Sequence, residues 1–305
     1  MQTVYFYITN QVHLLDLSGV LQVFQEAKEL GFDYGLEFIS DRPVINSSAG
    51  LKLNSLVHYS ETQPGEKDFV FIPGFNTEQS DTLMDGAPFF EWLRNVNNHG
   101  ATICSICTGA FLLAKSGLLD HKMCTTHWRY IDLLKTKFPF VKVKNNKLFV
   151  QSGNIFTSAG VATGIDLALF LIEESHGKLN AIRIAKELAV YIRRNGTDEQ
   201  ESVFLQFRDH QDQKVHIVQD WIIHNLEKTS TLESLAEIVH TSPRNLSRIF
   251  KKHTGVTIAE YRTKLRVEKA TSLVEDSGYK LDYIARLCGY KTSRQLREVL
   301  DKSSL

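Results

Sequence analysis

The feature that most constrains the fold of this chain is a pair of short helical segments near its C-terminus, separated by a tight break. In the first segment, apolar residues recur at helical spacing at Leu232, Leu235, Ala236 and Val239. Ser242 then suits the cap of a second helix, and Pro243 suits its first position. The pattern therefore predicts a helix-turn-helix unit whose second helix begins at residue 243.

The second helix has an apolar stripe and a polar, cationic face. Leu246, Ile249 and Phe250 form the stripe, which predicts that they point into a core. The other face carries Arg244, Asn245, Ser247, Arg248, Lys251 and Lys252. Such a face can enter the major groove of DNA, where arginine binds guanine through two hydrogen bonds. A solvated helix surface has the same composition, so one helix pair leaves both interpretations open.

A second, similar unit follows and favours the DNA-binding interpretation. Residues 281–290 repeat the first helix and turn, and residues 291–297 repeat the start of the second helix. Residues 258–274 form a longer helix between the units, with an apolar side at Tyr261, Leu265, Ala270 and Leu273. The sequence predicts an all-α domain whose two helix-turn-helix units lie along one face of DNA, about a turn apart.

Residues 213–305 resemble the AraC/XylS family of transcription regulators. The matching positions are Leu235-Ala236, residues 242–250, Thr254-Gly255, Tyr261, Leu265-Arg266, Ala270, Ile284-Ala285 and Gly289-Tyr290. The resemblance implies base contacts from Arg244, Ser247 and Arg248 in the first unit, and from Ser293, Arg294 and Arg297 in the second. Asn245 shares the outer face and is a further candidate. Lys251 and Lys252 suit phosphates, which add affinity without sequence preference.

The second unit departs from the family in two ways. Where the family has an aromatic residue, then Arg, then an aromatic residue, this chain has Leu296, Glu298 and Leu300. A carboxylate is repelled by phosphates, although it could accept a hydrogen bond from a cytosine amine. The chain also stops at Leu305, where the family runs on for another short helix. We therefore expect a truncated, weakened second unit and most of the affinity from the first.

Charge and composition set the broad class of the protein. A length of 305 residues suits about two domains. Residues 1–210 hold 19 Lys and Arg against 23 Asp and Glu, a net charge of −4, whereas residues 211–305 hold 16 against 12, a net charge of +4. The chain has no basic leader before its first apolar run, no membrane-length apolar stretch and only four cysteines. A cytoplasmic protein with no membrane partner is expected.

The first two thirds of the chain alternate strand-like and helix-like patterns. Strands are predicted at residues 4–9, 68–72 and 101–106, and helices at residues 17–30, 89–97, 163–174 and 181–193. This order predicts a doubly wound, flavodoxin-like α/β domain with a mainly parallel sheet, whose sites form at the carboxyl ends of the strands. We assign residues 1–195 to this domain, 196–212 to a linker and 213–305 to the helical domain.

Cys107 occupies a turn of small residues between a buried strand and a helix. A residue there is forced outward above the sheet, like the strained turn that displays a nucleophile in hydrolases. Its place at a helix N-terminus predicts a lowered thiol pKa. The alternative is a small buried apolar residue. Cys104 completes a Cys-x-x-Cys, but it lies inside the strand and no second ligand pair appears, so neither a metal ion nor another cofactor is expected.

The first domain resembles the PfpI-like superfamily, whose fold is related to that of class I glutamine amidotransferases. Its closest branches are the GlxA-like regulators and the isocyanide hydratases. The matching segments are residues 15–19 with 23–24, 72–74, 107–109 with 113–114, 117–119, 125–128, and 157–160 with 164–166. They span nearly the whole domain, in order.

The resemblance implies a set of pocket residues around the cysteine. Asp16 lies beside Cys107 and shares a proton with the sulfur. Backbone amides of Gly74 and Thr108 hold an anion or a developing oxyanion. His127 lies near the cysteine in a family motif, although a histidine before tryptophan is commonly structural.

Three other positions in this domain carry smaller expectations. Phe75 replaces a glycine that is common in the family, which predicts a narrower pocket. Ser158 either faces the pocket or caps the helix that begins near residue 163, and the cap is favoured. Asp166 is interpreted as an acid in the first turn of that helix.

Two functions remain after these observations. The first is a transcription regulator in which the PfpI-like domain binds a small-molecule effector or mediates dimerisation, and the helical domain binds promoter DNA. By analogy with the family, a homodimer that activates transcription is expected. The second is a Cys107-dependent hydratase or amidase that carries a DNA-binding domain. The fusion of the two domains favours the regulator, so we expect no enzyme activity.

Overall fold

The computed structural model describes residues 1–79, 87–145, 147–190, 196, 200, 203–276 and 279–303. The chain forms two compact units, residues 1–200 and 201–305. Val203, inside the predicted linker 196–212, is buried in the core of the second unit. The second unit therefore includes part of the segment expected to be linker, while the boundaries at residues 195 and 213 stay predictions.

A seven-stranded sheet forms the centre of the first unit. Its strands, in spatial order, are β10 (Phe149–Ser152), β11 (Ile155–Ser158), β7 (Thr102–Ile106), β6 (Phe69–Ile72), β1 (Gln2–Tyr7), β2 (Tyr34–Ser40) and β5 (Val57–His58). All neighbours are parallel except β10 with β11. Short pairs join β3 (Ile45–Asn46) to β4 (Lys52–Leu53), and β8 (Met123–Cys124) to β9 (Lys142–Val143).

Helices cover both faces of this sheet. They are α1 (Leu14–Glu29), α2 (Ala87–Asn98), α3 (Ala110–Lys115), α4 (Ile131–Lys137), α5 (Thr163–His176) and α6 (Lys178–Glu187). Along β6 the side chains alternate. Phe69 and Phe71 join the core that contains α1 and α5, whereas Val70 and Ile72 join the core that contains α2 and α3. The predicted flavodoxin-like α/β fold is confirmed. Residues 191–193 of the last predicted helix lie outside the described residues.

The second unit is helical. Its helices are α7 (Val203–Gln206), α8 (Gln213–His224), α9 (Leu232–Ile238), α10 (Pro243–Thr254), α11 (Ile258–Asp276), α12 (Leu281–Leu287) and α13 (Ser293–Ser303). At the start of α10, the Ser242 hydroxyl accepts a hydrogen bond from the Asn245 amide at 3.2 Å. The helix ends at Gly255, where φ is 77°. The predicted cap and break of the first helix-turn-helix are confirmed.

The two helix-turn-helix units have separate cores that share one helix. Tyr261 and Leu265 of α11 are buried in the first core, and Ala270 of the same helix is buried in the second. At 1.5 Å per residue, the 19 residues of α11 span about 28 Å. Within the described ranges, no helix is long and apolar enough to cross a membrane.

Candidate functional site

Cys107 lies on a strained turn between β7 and α3. Its φ is 55°, which is uncommon for a residue other than glycine, and it opens a 3-10 turn over residues 107–109. Gly109 makes the sharp turn possible, because a Cβ there would lie 2.2 Å from the Ile72 carbonyl oxygen. Cys107 as a whole is nevertheless only 3% exposed, since other segments close over it.

Three chemically active side chains meet at this turn. The ring of His13, the carboxylate of Asp16 and the sulfur of Cys107 each place an atom within 4.8 Å of the other two. His13 Nδ1 lies 3.4 Å from Asp16 Oδ2. Asp16 Oδ1 accepts a hydrogen bond from the Val161 amide. Oδ2 is buried and accepts no hydrogen bond from the described residues.

The sequence interpretation missed His13. It directly precedes α1, and its amide donates to the Gly74 carbonyl at 2.8 Å, which fixes the start of the helix against the loop after β6. Because His13 and Asp16 are three residues apart, they lie on the same side of the first turn. The three-residue spacing of His13 and Asp16 was the sequence signal that could have identified His13.

Two glycines allow the segments to approach the sulfur. A Cβ on Gly74 would lie 2.3 Å from Asp16 Oδ2 and 2.8 Å from the Cys107 Cβ. A Cβ on Gly160 would lie 2.3 Å from the same Cys107 atom, and Gly160 also has a φ of 95°. These distances explain why both positions need glycine.

The environment of the thiol contradicts one prediction from the sequence. Burial, and next the charge of Asp16, raise the pKa of Cys107 above its ordinary range. Hydrogen bonding from Thr108 lowers the pKa, but by less. The expected lowering by the helix N-terminus is therefore wrong, because α3 has only six residues and the sulfur is desolvated beside a carboxylate.

Thr108 and Phe75 are joined by two hydrogen bonds. The Thr108 hydroxyl donates to the Phe75 carbonyl at 2.7 Å and accepts from the Phe75 amide at 2.8 Å. The Phe75 ring is fully buried in the core that contains α2 and α3. This placement in the core accounts for its size, and the narrowing of the pocket by Phe75 stays a prediction. Anion binding by the Gly74 and Thr108 amides stays a prediction.

His127 and Ser158 have local structural roles. His127 is half-buried, and its Nδ1 accepts a hydrogen bond from the Arg129 amide at 3.3 Å, which starts the turn Trp128–Tyr130. Burial, and then the charge of Arg129, lower the pKa of His127. The Ser158 hydroxyl bonds the Thr163 hydroxyl at 2.7 Å, whereas the residue at the cap of α5 is Ala162. The predicted Ser158 cap is wrong.

Asp166 lies in the first turn of α5 and is buried.

The outer face of α10 presents a cationic surface. Arg244, Ser247, Arg248, Lys251 and Lys252 are exposed and line one shallow depression with Leu232. Leu246 and Phe250 are fully buried on the opposite side. The helix therefore holds the predicted face toward solvent.

Asn245 has a different place from the other residues predicted to contact DNA. Its Nδ2 donates to the Thr241 hydroxyl at 2.9 Å, and its Oδ1 accepts from Arg248 Nη2 at 3.0 Å. The amide thus joins the turn before α10 to the guanidinium, and it fixes the direction of Arg248.

In the second unit, acidic side chains contact two of the predicted DNA-binding residues. Arg294 Nε lies 3.0 Å from Glu298 Oε1, one turn along α13. The Ser293 amide donates to Asp282 Oδ1 at 3.2 Å. Hydrogen bonding from the Ser293 hydroxyl, and next from this amide, lowers the pKa of Asp282. Arg297 is exposed, and Leu296 fills the core where the family has an aromatic residue.

Comparison with known proteins agrees with both units. The model of the DJ-1/PfpI family matches residues 2–174, and that of a helix-turn-helix domain matches residues 235–302. The chain belongs to the DJ-1/PfpI family. It joins that domain to a helix-turn-helix domain of AraC type, as the two resemblances predicted.

Relatives with assigned names include regulators and an enzyme. The transcriptional regulator CdhR of Pseudomonas aeruginosa is 30% identical over 82% of this chain and 72% of its own length. The regulator GlxA of Rhizobium meliloti is 26% identical over 81% and 75%. Isonitrile hydratase of Pseudomonas putida is 31% identical over 56% and 71%.

One solved structure illustrates the likeness of fold. It is an AraC family transcriptional regulator from Pseudomonas putida, which aligns with a TM-score of 0.54 and 18% identity over 62% of this chain and all of that one. At this identity the likeness concerns the fold alone.

Proposed function

We propose that this protein is a sequence-specific DNA-binding transcription regulator whose first unit binds a small-molecule effector. The observation that carries the proposal is the cationic face of α10, held toward solvent by a capped helix with a buried apolar stripe. Similarity to CdhR and GlxA, both named as transcriptional regulators, supports it.

The test is selection of DNA by tagged, full-length protein from random duplexes, followed by competition at physiological ionic strength. We expect enrichment of one sequence, and a specific affinity that Arg248→Ala lowers at least tenfold. Arg183→Ala, the same change at an exposed position of α6, should leave the affinity unaltered. No preference for any duplex over random competitor would refute the proposal.

The proposal extends to assembly, effect and location. A homodimer and activation as the effect on transcription follow from the family resemblance, and action in the cytoplasm suits four cysteines that are all free thiols. Sedimentation of the protein on its selected duplex gives the stoichiometry, and a reporter fused to that sequence gives the sign of regulation. A monomer on the duplex would contradict the homodimer, and repression of the reporter would contradict activation.

A Cys107-dependent hydratase or amidase is the second candidate. Asp16, Cys107 and Thr108 all lie next to Gly74 at the turn, and a named isonitrile hydratase is similar to this part of the chain. Incubation with isocyanides, amides and aldehydes distinguishes the candidates. Turnover that disappears in Cys107→Ala would support the enzyme, whereas binding without turnover supports the effector site.

A further inference from the structure

The cluster of His13, Asp16 and Cys107 offers more than acid–base chemistry. It contains one nitrogen, one oxygen and one sulfur donor, all within 4.8 Å of one another. The Asp16 side chain is fully buried, and its Oδ2 has no hydrogen bond from the described residues. A buried carboxylate is costly unless its charge is compensated, and a cation held between Asp16, His13 and Cys107 would compensate it.

We propose that His13, Asp16 and Cys107 form a binding site for a divalent cation of the zinc class. This inference goes beyond the proposed regulation of transcription and does not depend on it.

The distances suit such an ion. With metal–nitrogen and metal–oxygen bonds of about 2.1 Å, two ligands of a tetrahedral site lie about 3.4 Å apart. His13 Nδ1 and Asp16 Oδ2 are 3.4 Å apart. A sulfur bond of about 2.3 Å places sulfur about 3.6 Å from the other donors, so the Cys107 sulfur has to approach each of them by about 1.2 Å at most.

The donor set selects the class of metal. Thiolate and imidazole ligands favour zinc and its neighbours, whereas magnesium and calcium favour oxygen ligands alone. Three protein ligands leave a fourth position for water or a small molecule. The His13 side chain is about one-third exposed, which gives the ion a route from solvent to two ligands that are themselves buried.

A thiol that shares its proton with Asp16 would account for two of the three residues. It does not account for the imidazole placed at ligand distance from the same carboxylate oxygen. The backbone places His13 beside Asp16, because the His13 amide donates to the Gly74 carbonyl and Asp16 lies in the first turn of α1, which His13 directly precedes.

The test uses full-length protein in a thiol-free reductant, titrated with Co²⁺ and then with Zn²⁺. Cobalt bound by a thiolate gives a charge-transfer band in the near ultraviolet. We expect this band to saturate at one ion per chain and to be removed by Zn²⁺. Cys107→Ser should abolish the band, and His13→Gln should weaken Co²⁺ binding at least tenfold.

Cys124→Ser is the matched control, because Cys124 is also buried in the first unit but lies outside the cluster. It should leave the band and the affinity unaltered. Thermal melting verifies that each variant is folded, and His13→Gln, at a partly exposed position, serves if Cys107→Ser unfolds. Absence of the band, its survival in Cys107→Ser, its loss in Cys124→Ser, or unaltered affinity in His13→Gln would each overturn the proposal.

Discussion

Around the Cys107 sulfur, three segments of chain meet at distances that leave no room for a β-carbon on Gly74 or Gly160. The same crowding buries the sulfur and the Asp16 carboxylate together. Two residue-level consequences follow, one for stability and one for reactivity.

The first concerns Gly74. In Gly74→Ala the new methyl group would collide with Asp16 Oδ2 and with the Cys107 Cβ, so we expect the free energy of unfolding to fall by about 1–3 kcal/mol. Gly65→Ala is the control, because a Cβ at Gly65 meets nothing within 4 Å. Denaturant unfolding of both variants makes the measurement, and equal stabilities would contradict the account of the site.

The second concerns the reactivity of Cys107. Because burial and Asp16 raise the pKa of its thiol, the thiolate fraction near neutral pH is smaller than for an ordinary cysteine. Alkylation of Cys107 in metal-free protein should therefore be slow at pH 8 and accelerate as pH rises further. Asp16→Asn removes the nearby charge and should accelerate alkylation at a fixed pH. Mass spectrometry of the Cys107 peptide gives the rates, and a rate that is already constant below pH 8 would disagree.

Several residue roles could not be predicted from the sequence, for physical reasons. The strained turn at Cys107 was visible because a buried strand, small residues and a helix follow one another directly. The direction of the Cys107 pKa shift could not be predicted, because desolvation of the sulfur depends on the distant segments that close over it. Ser158 was predicted to cap the helix because of its type and position, but its hydroxyl forms a hydrogen bond with the Thr163 hydroxyl instead.

At the scale of elements, α10 and α13 are two versions of one recognition helix with different electrostatics. On α10 the cations face solvent without an acidic neighbour on the helix, whereas on α13 Arg294 is paired with Glu298. Both helices were foreseen, because apolar stripes at helical spacing and capping residues are local signals. The hydrogen bond from the Asn245 side chain to the Thr241 hydroxyl was not predicted, because it depends on how the turn before α10 places that hydroxyl.

We expect Arg248→Ala to reduce specific DNA affinity more than Arg297→Ala. Loss of a guanine-binding arginine costs about 1–3 kcal/mol, and the second unit has weaker electrostatic attraction to DNA. Fluorescence anisotropy on the selected duplex, at several salt concentrations, compares the two. A larger loss from Arg297→Ala would reverse the assignment of the main affinity to the first unit.

Asn245→Ala tests the positioning of Arg248. Without its partner the guanidinium is free to rotate, so affinity for the selected duplex should fall severalfold while affinity for random DNA changes little. Lys251→Ala provides the contrast, because a phosphate contact should weaken both affinities alike and reduce the salt slope by about one. Equal losses on both kinds of DNA in Asn245→Ala would exclude a role in specificity.

At the scale of the whole molecule, the charge of the chain is divided between its two parts. The net charge of +4 over residues 211–305 is modest, so binding to arbitrary DNA should be weak and should decrease steeply with salt. Filter binding of full-length protein to random duplex between low and physiological ionic strength measures this slope. Tight, salt-resistant binding to random DNA would show that attraction to phosphates exceeds what the composition supports.

Helix α11 belongs to both cores of the second unit, through Tyr261 and Leu265 at one end and Ala270 further along. A continuous helix neither stretches nor twists easily, so it fixes the distance and the rotation between the two helix-turn-helix units. We expect both units to contact DNA, so one base pair inserted between the two contacted segments would shift the distal segment along the axis and around the duplex. The protein would then lose the contact of one of its two units with DNA.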